Sequence, residues 1–373
     1  MNELPPLPPP PAAIPAPSAE PAPETLAATV ELARVKGYSD IHLGVGEEPR
    51  FRCRGEITSS GWPATDAALF DRWLNELLSS AEREQFRQDR DFDGSCAFER
   101  VRVRINLMDS LLGPAMVLRL IPQSILSLEE LKLPEVLKTL ADRPKGLVLV
   151  TGPTGSGKST TLAAMVDWIN RNRASHILTI EDPIEFVHTS KRSLVRQREV
   201  GHHTLRFQTA LRAALREDPD VILIGEIRDG DTLTTALEAS QTGHLVFGTL
   251  HTNSAVRTVE RVLGMVPAQE QASLRRALSE SLLGVIAQGL IRSSDGRRAF
   301  HDILINTEAC RDYIERGELD SVEQIMERSG FDGMITANQS LLALVEAGEV
   351  NGEAALAVSL KPNELAQALR GRH

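Results

Sequence analysis

Eight consecutive residues, Gly152, Pro153, Thr154, Gly155, Ser156, Gly157, Lys158 and Ser159, followed by Thr160, fall in the pattern G-x-x-x-x-G-K-[ST], a loop suited to cradling the phosphates of a nucleoside triphosphate. Glycines at 152, 155 and 157 let backbone N–H groups close on phosphate oxygens with no Cβ in the way. Lys158 is placed to reach the β- and γ-phosphates, and the Ser159 hydroxyl to ligate Mg2+. The run from Gly146 to Thr151 just before the loop suits a buried parallel strand. After it, Leu162, Met165, Val166 and Ile169 recur at helical spacing. Strand, glycine turn and helix start together aim the positive end of a helix at an anion.

Hydrolysis needs more than a phosphate cradle. It needs a carboxylate to hold Mg2+ or its waters, and a second to orient the attacking water and accept its proton. Val221 to Ile224 is an apolar strand followed by Gly225 and Glu226, and an acid after such a strand faces the ligand crevice at its carboxyl end. A second strand runs into Glu181, Asp182, Pro183, Ile184 and Glu185, and spacing alone does not choose between Glu181 and Glu185 as the water-activating group. His244 and His251 bracket a third strand, and a histidine at a strand mouth can sense phosphate charge by hydrogen bonding. Arg100, Arg102 and Arg104 alternate with Val101, Val103 and Ile105, which puts the three guanidinium groups on one face of a strand; Arg119 lies in the next.

The elements that must carry these residues are expected as follows. Residues 1–23 hold ten of the chain's 21 prolines and read as an extended tail. A small α+β domain spans 24–121: a helix from Thr25 to Lys36, a strand opening at Ser39 with Pro49 to Ile57 as its hairpin partner, helices from Asp66 to Leu78 and Ala81 to Phe86, and strands from Cys96 to Leu107 and Ala115 to Ile121. A linker at 122–127 leads to a second domain, 128–373, opening on a helix from Leu128 to about Asp142. Strands at 146–151, 177–180, 221–224 and 245–249 alternate with helical stretches, the signature of a doubly wound parallel sheet. Beyond Leu250 the pattern reads as almost wholly helical, including a helix from Gln269 to Gln288.

Composition narrows the function. A net charge of −10 argues against a protein held to nucleic acid mainly by phosphate neutralisation. Cys53, Cys96 and Cys310 stand far apart with no C-x-x-C spacing, which fits a reducing cytoplasm and gives no support to a zinc site. No apolar run approaches the roughly 20 residues of a spanning helix, and the N-terminus has no signal-peptide pattern. The expectation is a cytoplasmic protein whose membrane contact, at the inner face of the cytoplasmic membrane, runs through partners.

The chain resembles the secretion-ATPase superfamily, and most closely the PilT family of type IV pilus retraction motors. The resemblance is carried by SDIHL (Ser39 to Leu43), the phosphate loop, LTIEDPIEFVH (Leu178 to His188), QREV (Gln197 to Val200), AALREDPDVILIGEIRD (Ala213 to Asp229), TGHLVFGTLHTN (Thr242 to Asn253) and LSESLL (Leu278 to Leu283). It implies a PAS-like first domain and a RecA-like second one in a homo-hexameric ring with ATP between subunits. Lys158 and Ser159 match the Walker A pair, Glu226 the Walker B acid, Glu185 the catalytic glutamate, and His244 and His251 the histidine box. Arg102, Arg104 and Arg119 fall where the first domain supplies arginines to ATP. The implied partners are an inner-membrane platform protein and the pilus machinery. One departure concerns an AIRNLIRE-like segment, here Ala309 to Arg316, which keeps Ala309, Arg311, Ile314 and Glu315 but not the pattern between. The extra N-terminal domain and cysteine-rich metal site of assembly ATPases have no match, so the resemblance implies retraction. Motors of secretion, DNA uptake or conjugation share the fold, and a RecA-like nucleic-acid translocase is opposed by the acidic composition.

Overall fold

The computed structural model describes residues 23–371 apart from 54, 122, 123 and 295. Nearly all of the proline-rich segment 1–23, and the start of the 122–127 linker, lie outside the described residues. The chain divides into two compact units after residue 123.

The first unit is one antiparallel sheet with three helices. Thr25 starts α1 (Leu26–Val35) by accepting a hydrogen bond from the Ala28 N–H, and the helix buries Leu26, Val30 and Ala33. There follow β1 (Asp40–Gly44), β2 (Arg50–Cys53), β3 (Glu56–Ser59), α2 (Ala67–Leu77), α3 (Ser80–Asp89), β4 (Asp91–Phe98), β5 (Val101–Ser110) and β6 (Gly113–Ile121). Their order in the sheet is β3-β2-β1-β6-β5-β4. Along β5, Val101, Val103, Ile105 and Leu107 are buried while Arg102 and Arg104 take the alternate positions. Two expectations are corrected. Pro49 to Ile57 is not one strand but β2 and the start of β3, paired with each other. Cys96 to Leu107 is a hairpin, β4 to β5, whose turn holds Arg100, so Arg100 does not share the strand face of Arg102 and Arg104.

The second unit is built on a seven-stranded sheet. Its elements are α4 (Val136–Ala141), β7 (Gly146–Thr151), α5 (Lys158–Asn172), β8 (His176–Glu181), β9 (Leu194–Glu199), α6 (Phe207–Ala214), β10 (Val221–Ile224), α7 (Gly230–Gln241), β11 (Leu245–Leu250), α8 (Ala255–Leu263), α9 (Gln271–Ser281), β12 (Leu282–Ser293) and β13 (Gly296–Ile305). The strand order is β13-β12-β7-β11-β10-β8-β9. All neighbours run parallel except β13 against β12. β7, β10 and β11 are buried along their whole length, as strands covered by helices on both faces must be. The helices α10 (Glu308–Arg316), α11 (Leu319–Arg328), α12 (Ala337–Glu346), α13 (Gly352–Val358) and α14 (Pro362–Arg370) complete the C-terminal region. Among the described residues no helix is long and apolar enough to cross a membrane.

The structure departs from the pattern reading at three places in this unit. The helix expected from Leu128 to Asp142 is only α4, because Lys132 takes a left-handed conformation (φ 52°) and Pro134 has no N–H to give. β9 is a short, polar edge strand that periodicity did not mark. The helix expected to run to Gln288 stops at Ser281, and residues 282–305 form two strands of the main sheet. Leu282 to Ala287 is a short apolar run that cannot be told from helix by period alone. Close approach of backbone and ring settles it: a Cβ at Gly284 would meet the Leu304 carbonyl at 2.7 Å, and one at Gly289 would meet the Phe300 ring at 2.2 Å.

Candidate active site

The phosphate loop follows the buried strand β7, and Gly157, in the left-handed region, caps the start of α5. Lys158 Nζ donates to the carbonyls of Gly152 (2.6 Å) and Pro153 (3.1 Å). These are neutral acceptors of the loop itself, weaker partners for an ammonium than a phosphate oxygen. Burial lowers the Lys158 pKa from its ordinary value, against the opposing pull of the Glu185 and Glu226 charges. Those two carboxylates therefore share the field of the loop lysine. Ser159 and Thr160 are half-buried in the first turn of α5.

Gln288 on β12 lies beneath the loop, and its position is the most direct consequence of the corrected strand. Its amide oxygen accepts from Thr161 Oγ1 (2.7 Å) and its amide nitrogen donates to the Ser156 carbonyl (2.7 Å), with the residue 4% exposed. Two glycines of the loop are shaped by it. A Cβ at Gly152 (φ 144°) would stand 2.2 Å from the Gln288 carbonyl oxygen, and one at Gly157 (φ 88°) 2.8 Å from the Gln288 side-chain nitrogen. Sequence reading missed Gln288 because it placed the residue at the end of a helix. Gln288→Leu would strand the Thr161 hydroxyl and the Ser156 carbonyl without partners, each costing about 1–3 kcal/mol. The expected outcome is a lower Tm together with nucleotide binding weakened by about tenfold or more, read by thermal melts and nucleotide titration.

Three further strands end at the same edge of the sheet as β7, where ligands of such folds sit. After β10, Glu226 is partly buried, accepts from Arg228 Nε (2.7 Å) and lies 3.2 Å from His251 Nε2. Burial alone would raise its pKa, but the Arg228 and His251 contacts prevail and hold it below the usual carboxylate range. Arg228 was not singled out from sequence. After β8 the two candidate acids part company. Glu181 accepts from Thr179 Oγ1 (2.6 Å), Gln197 Nε2 (3.1 Å) and the Glu185 N–H (3.4 Å), and burial pushes its pKa up. Glu185 is exposed, and among the described residues its carboxylate has no hydrogen bond or ion pair.

The structure does not bring His244 to this edge. His244 precedes β11, beside Gly146 at the start of β7, whereas His251 follows it. Six strand residues separate them, about 20 Å at the usual rise. The His244 Nδ1 lies 2.9 Å from the Ala239 carbonyl at the end of α7, a contact that ties it to the helix end. The two histidines bracket β11 as expected, but the strand carries them to opposite edges of the sheet: of the two, His251 joins the loop and Glu226, while His244 does not within the chain.

The arginines belong to the first unit and form a row across its sheet. Arg52 on β2 lies opposite Asp40 on β1, Asp40 opposite Arg119 on β6, and Arg119 opposite Arg104 on β5. Asp40 is 3% exposed; its carboxylate accepts from Arg119 Nε at 2.8 Å and lies 3.8 Å from Arg52. Burial would raise its pKa, but Arg119 and Ser39 bring the net shift below its ordinary value. Arg119 itself is largely exposed. Arg102 donates to Ser95 (2.5 Å). In the C-terminal region, Arg311 and Glu315 share α10 but do not pair; Glu315 instead meets Arg276 of α9 at 3.7 Å.

Comparison with known proteins places these features in context. Residues 16–358 match the family model described as Type II/IV secretion system protein. The chain is 46% identical over 320 residues to the type IV pilus retractation ATPase PilT of Pseudomonas aeruginosa, covering 85% of this chain and 93% of that one. It is 47% identical over 310 residues to the twitching motility protein of Neisseria gonorrhoeae, covering 82% and 83%. Among solved structures, that of the pilus retraction motor PilT with bound ADP superposes with a TM-score of 0.87 at 41% identity, over 92% of this chain and 99% of that one.

Proposed function

We propose that this chain, which belongs to the Type II/IV secretion system protein family and to its PilT branch, hydrolyses ATP to power retraction of a type IV pilus. The observation that supports the reading is a phosphate loop with Glu185, Glu226 and His251 gathered at one sheet edge, in a chain alike to a PilT protein over 93% of that protein's length. Lys158 and the loop N–H groups bind the phosphates, and Glu185 orients the attacking water and accepts its proton. His251, 3.2 Å from Glu226, senses whether the γ-phosphate is in place. Mg2+ suits this site: hard oxygen donors are present in the Ser159 hydroxyl and the Glu226 carboxylate, and the ion usually takes one or two protein ligands beside phosphate oxygens and water. Bound there, it would neutralise charge on the phosphates.

In this reading the working form is a homo-hexameric ring at the inner face of the cytoplasmic membrane. It acts on an inner-membrane platform protein and the pilus machinery, without direct contact to nucleic acid. Arg102, Arg104 and Arg119 supply positive charge to ATP held by a neighbouring subunit. The test is genetic and microscopic. Removing the gene should leave cells with excess surface pili that no longer retract, and a Lys158→Ala copy should fail to restore movement. Loss of surface pili in the deletion strain would overturn retraction in favour of assembly, and unchanged pili with lost secretion or DNA uptake would assign the motor elsewhere.

A further inference from the structure

The loop from Asp182 to His188 holds Glu185 by its backbone. The Gln197 side chain makes three contacts with this region: its amide nitrogen donates to the Phe186 carbonyl (2.8 Å) and to Glu181 Oε1 (3.1 Å), and its amide oxygen accepts from the His188 N–H (2.8 Å). Glu199, two residues on along β9 and 1% exposed, accepts from the Ile184 N–H (3.1 Å). Glu181, itself held by Gln197, accepts from the Glu185 N–H (3.4 Å). Residues 184, 185, 186 and 188 are thus tied to the sheet directly or through Glu181, while the Glu185 side chain is left exposed.

A surface loop has no need of this. Its backbone groups can be solvated, and ordering each residue costs on the order of 1–2 kcal/mol. A buried carboxylate costs more still unless its partners are fixed. Three polar side chains spent on fixing the frame around one unpartnered carboxylate is the arrangement expected where that carboxylate must stand within a fraction of an ångström of a reacting atom. Resting on the reading of Glu185 given above, we propose that Gln197 and Glu199 are positioning residues for Glu185. Strand β9 acts as a clamp that sets the distance between this carboxylate and the attacking water.

The test separates positioning from mere support of the fold. Gln197→Ala in the full-length protein should lower kcat for ATP about 10–100-fold, with KM and the Kd of a fluorescent ATP analogue within about threefold of wild type, since the phosphate loop is untouched. Should Gln197→Ala not fold, Gln197→Glu keeps the shape and the acceptor for His188 but removes the donor, and the same loss in kcat is expected. Glu199→Gln, which retains an oxygen for the Ile184 N–H, should lose less than Glu199→Leu. In a Glu185→Gln background, Gln197→Ala should have no further effect, because groups acting as a unit are not additive. Wild-type kcat in both folded Gln197 variants, a loss confined to KM, or an undiminished loss in the Glu185→Gln background would overturn the clamp. Full turnover in Glu185→Gln alone would instead overturn the reading of Glu185 on which the clamp rests.

Discussion

Glu185→Gln is expected to reduce ATP turnover by about 10²–10⁴-fold, the range of a lost general base, while nucleotide affinity stays within about threefold of wild type. The substitution keeps the size of the side chain and removes only its capacity to accept a proton. Lys158→Ala should show the opposite order of effects, weakened binding first, because it removes the cation that faces the phosphates. Geometry separates the two acids that spacing left open. Glu181 has its oxygens engaged by Thr179, Gln197 and the Glu185 N–H, which turns them away from an incoming water. A group so engaged is a poor proton acceptor. Glu185 is exposed and lies near enough to Lys158 for its charge to be felt there. Single-turnover hydrolysis alongside equilibrium nucleotide binding measures both quantities. Full ATPase activity in the Glu185→Gln protein would sink the assignment.

The residues bound by short-range chemistry were legible in the sequence. The phosphate loop is a local device: its glycines, lysine and hydroxyl must follow one another, so their spacing encodes the geometry. The strand from Gly146 to Thr151 was likewise legible, as a short continuous apolar run leading straight into the loop. What escaped the reading depends on distance along the chain. Gln288 reaches Thr161 across 127 residues, and nothing near position 288 announces that partner. Gln197 and Glu199 stood inside a recognised motif, yet their role shows only once β9 is laid beside β8. His244 misled for a related reason. Strand direction fixes which end of β11 faces the loop, and two histidines in sequence look alike at either end. Arg100 was lost to a turn that interrupts the alternation by one residue pair.

Mixing two inactive proteins should restore activity if the first unit serves a neighbour's nucleotide. Arg119→Ala, or the pair Arg104→Ala and Arg119→Ala, is expected to lower turnover by about 10³–10⁵-fold, the worth of an arginine that meets transition-state charge from outside the phosphate loop. Arg104 and Arg119 face each other across β5 and β6, and Asp40 fixes Arg119 by its Nε, leaving an exposed guanidinium that needs no further rearrangement to receive an anion. A solvated strand face would not require a 3% exposed aspartate beneath it. Lys158→Ala is expected to be inactive for a different reason, the loss of the loop cation that would hold the phosphates. In a head-to-tail ring assembled from equal amounts of the two variants, about a quarter of the interfaces join an intact loop to an intact arginine. Turnover should therefore recover to about that fraction of wild type, read by ATPase assay after co-refolding or co-expression. Recovery near zero in rings shown to contain both subunits would mean that these arginines act within their own chain or are surface charge. The Asp40→Asn variant then decides between those two, since only a working arginine loses turnover when its anchor is removed.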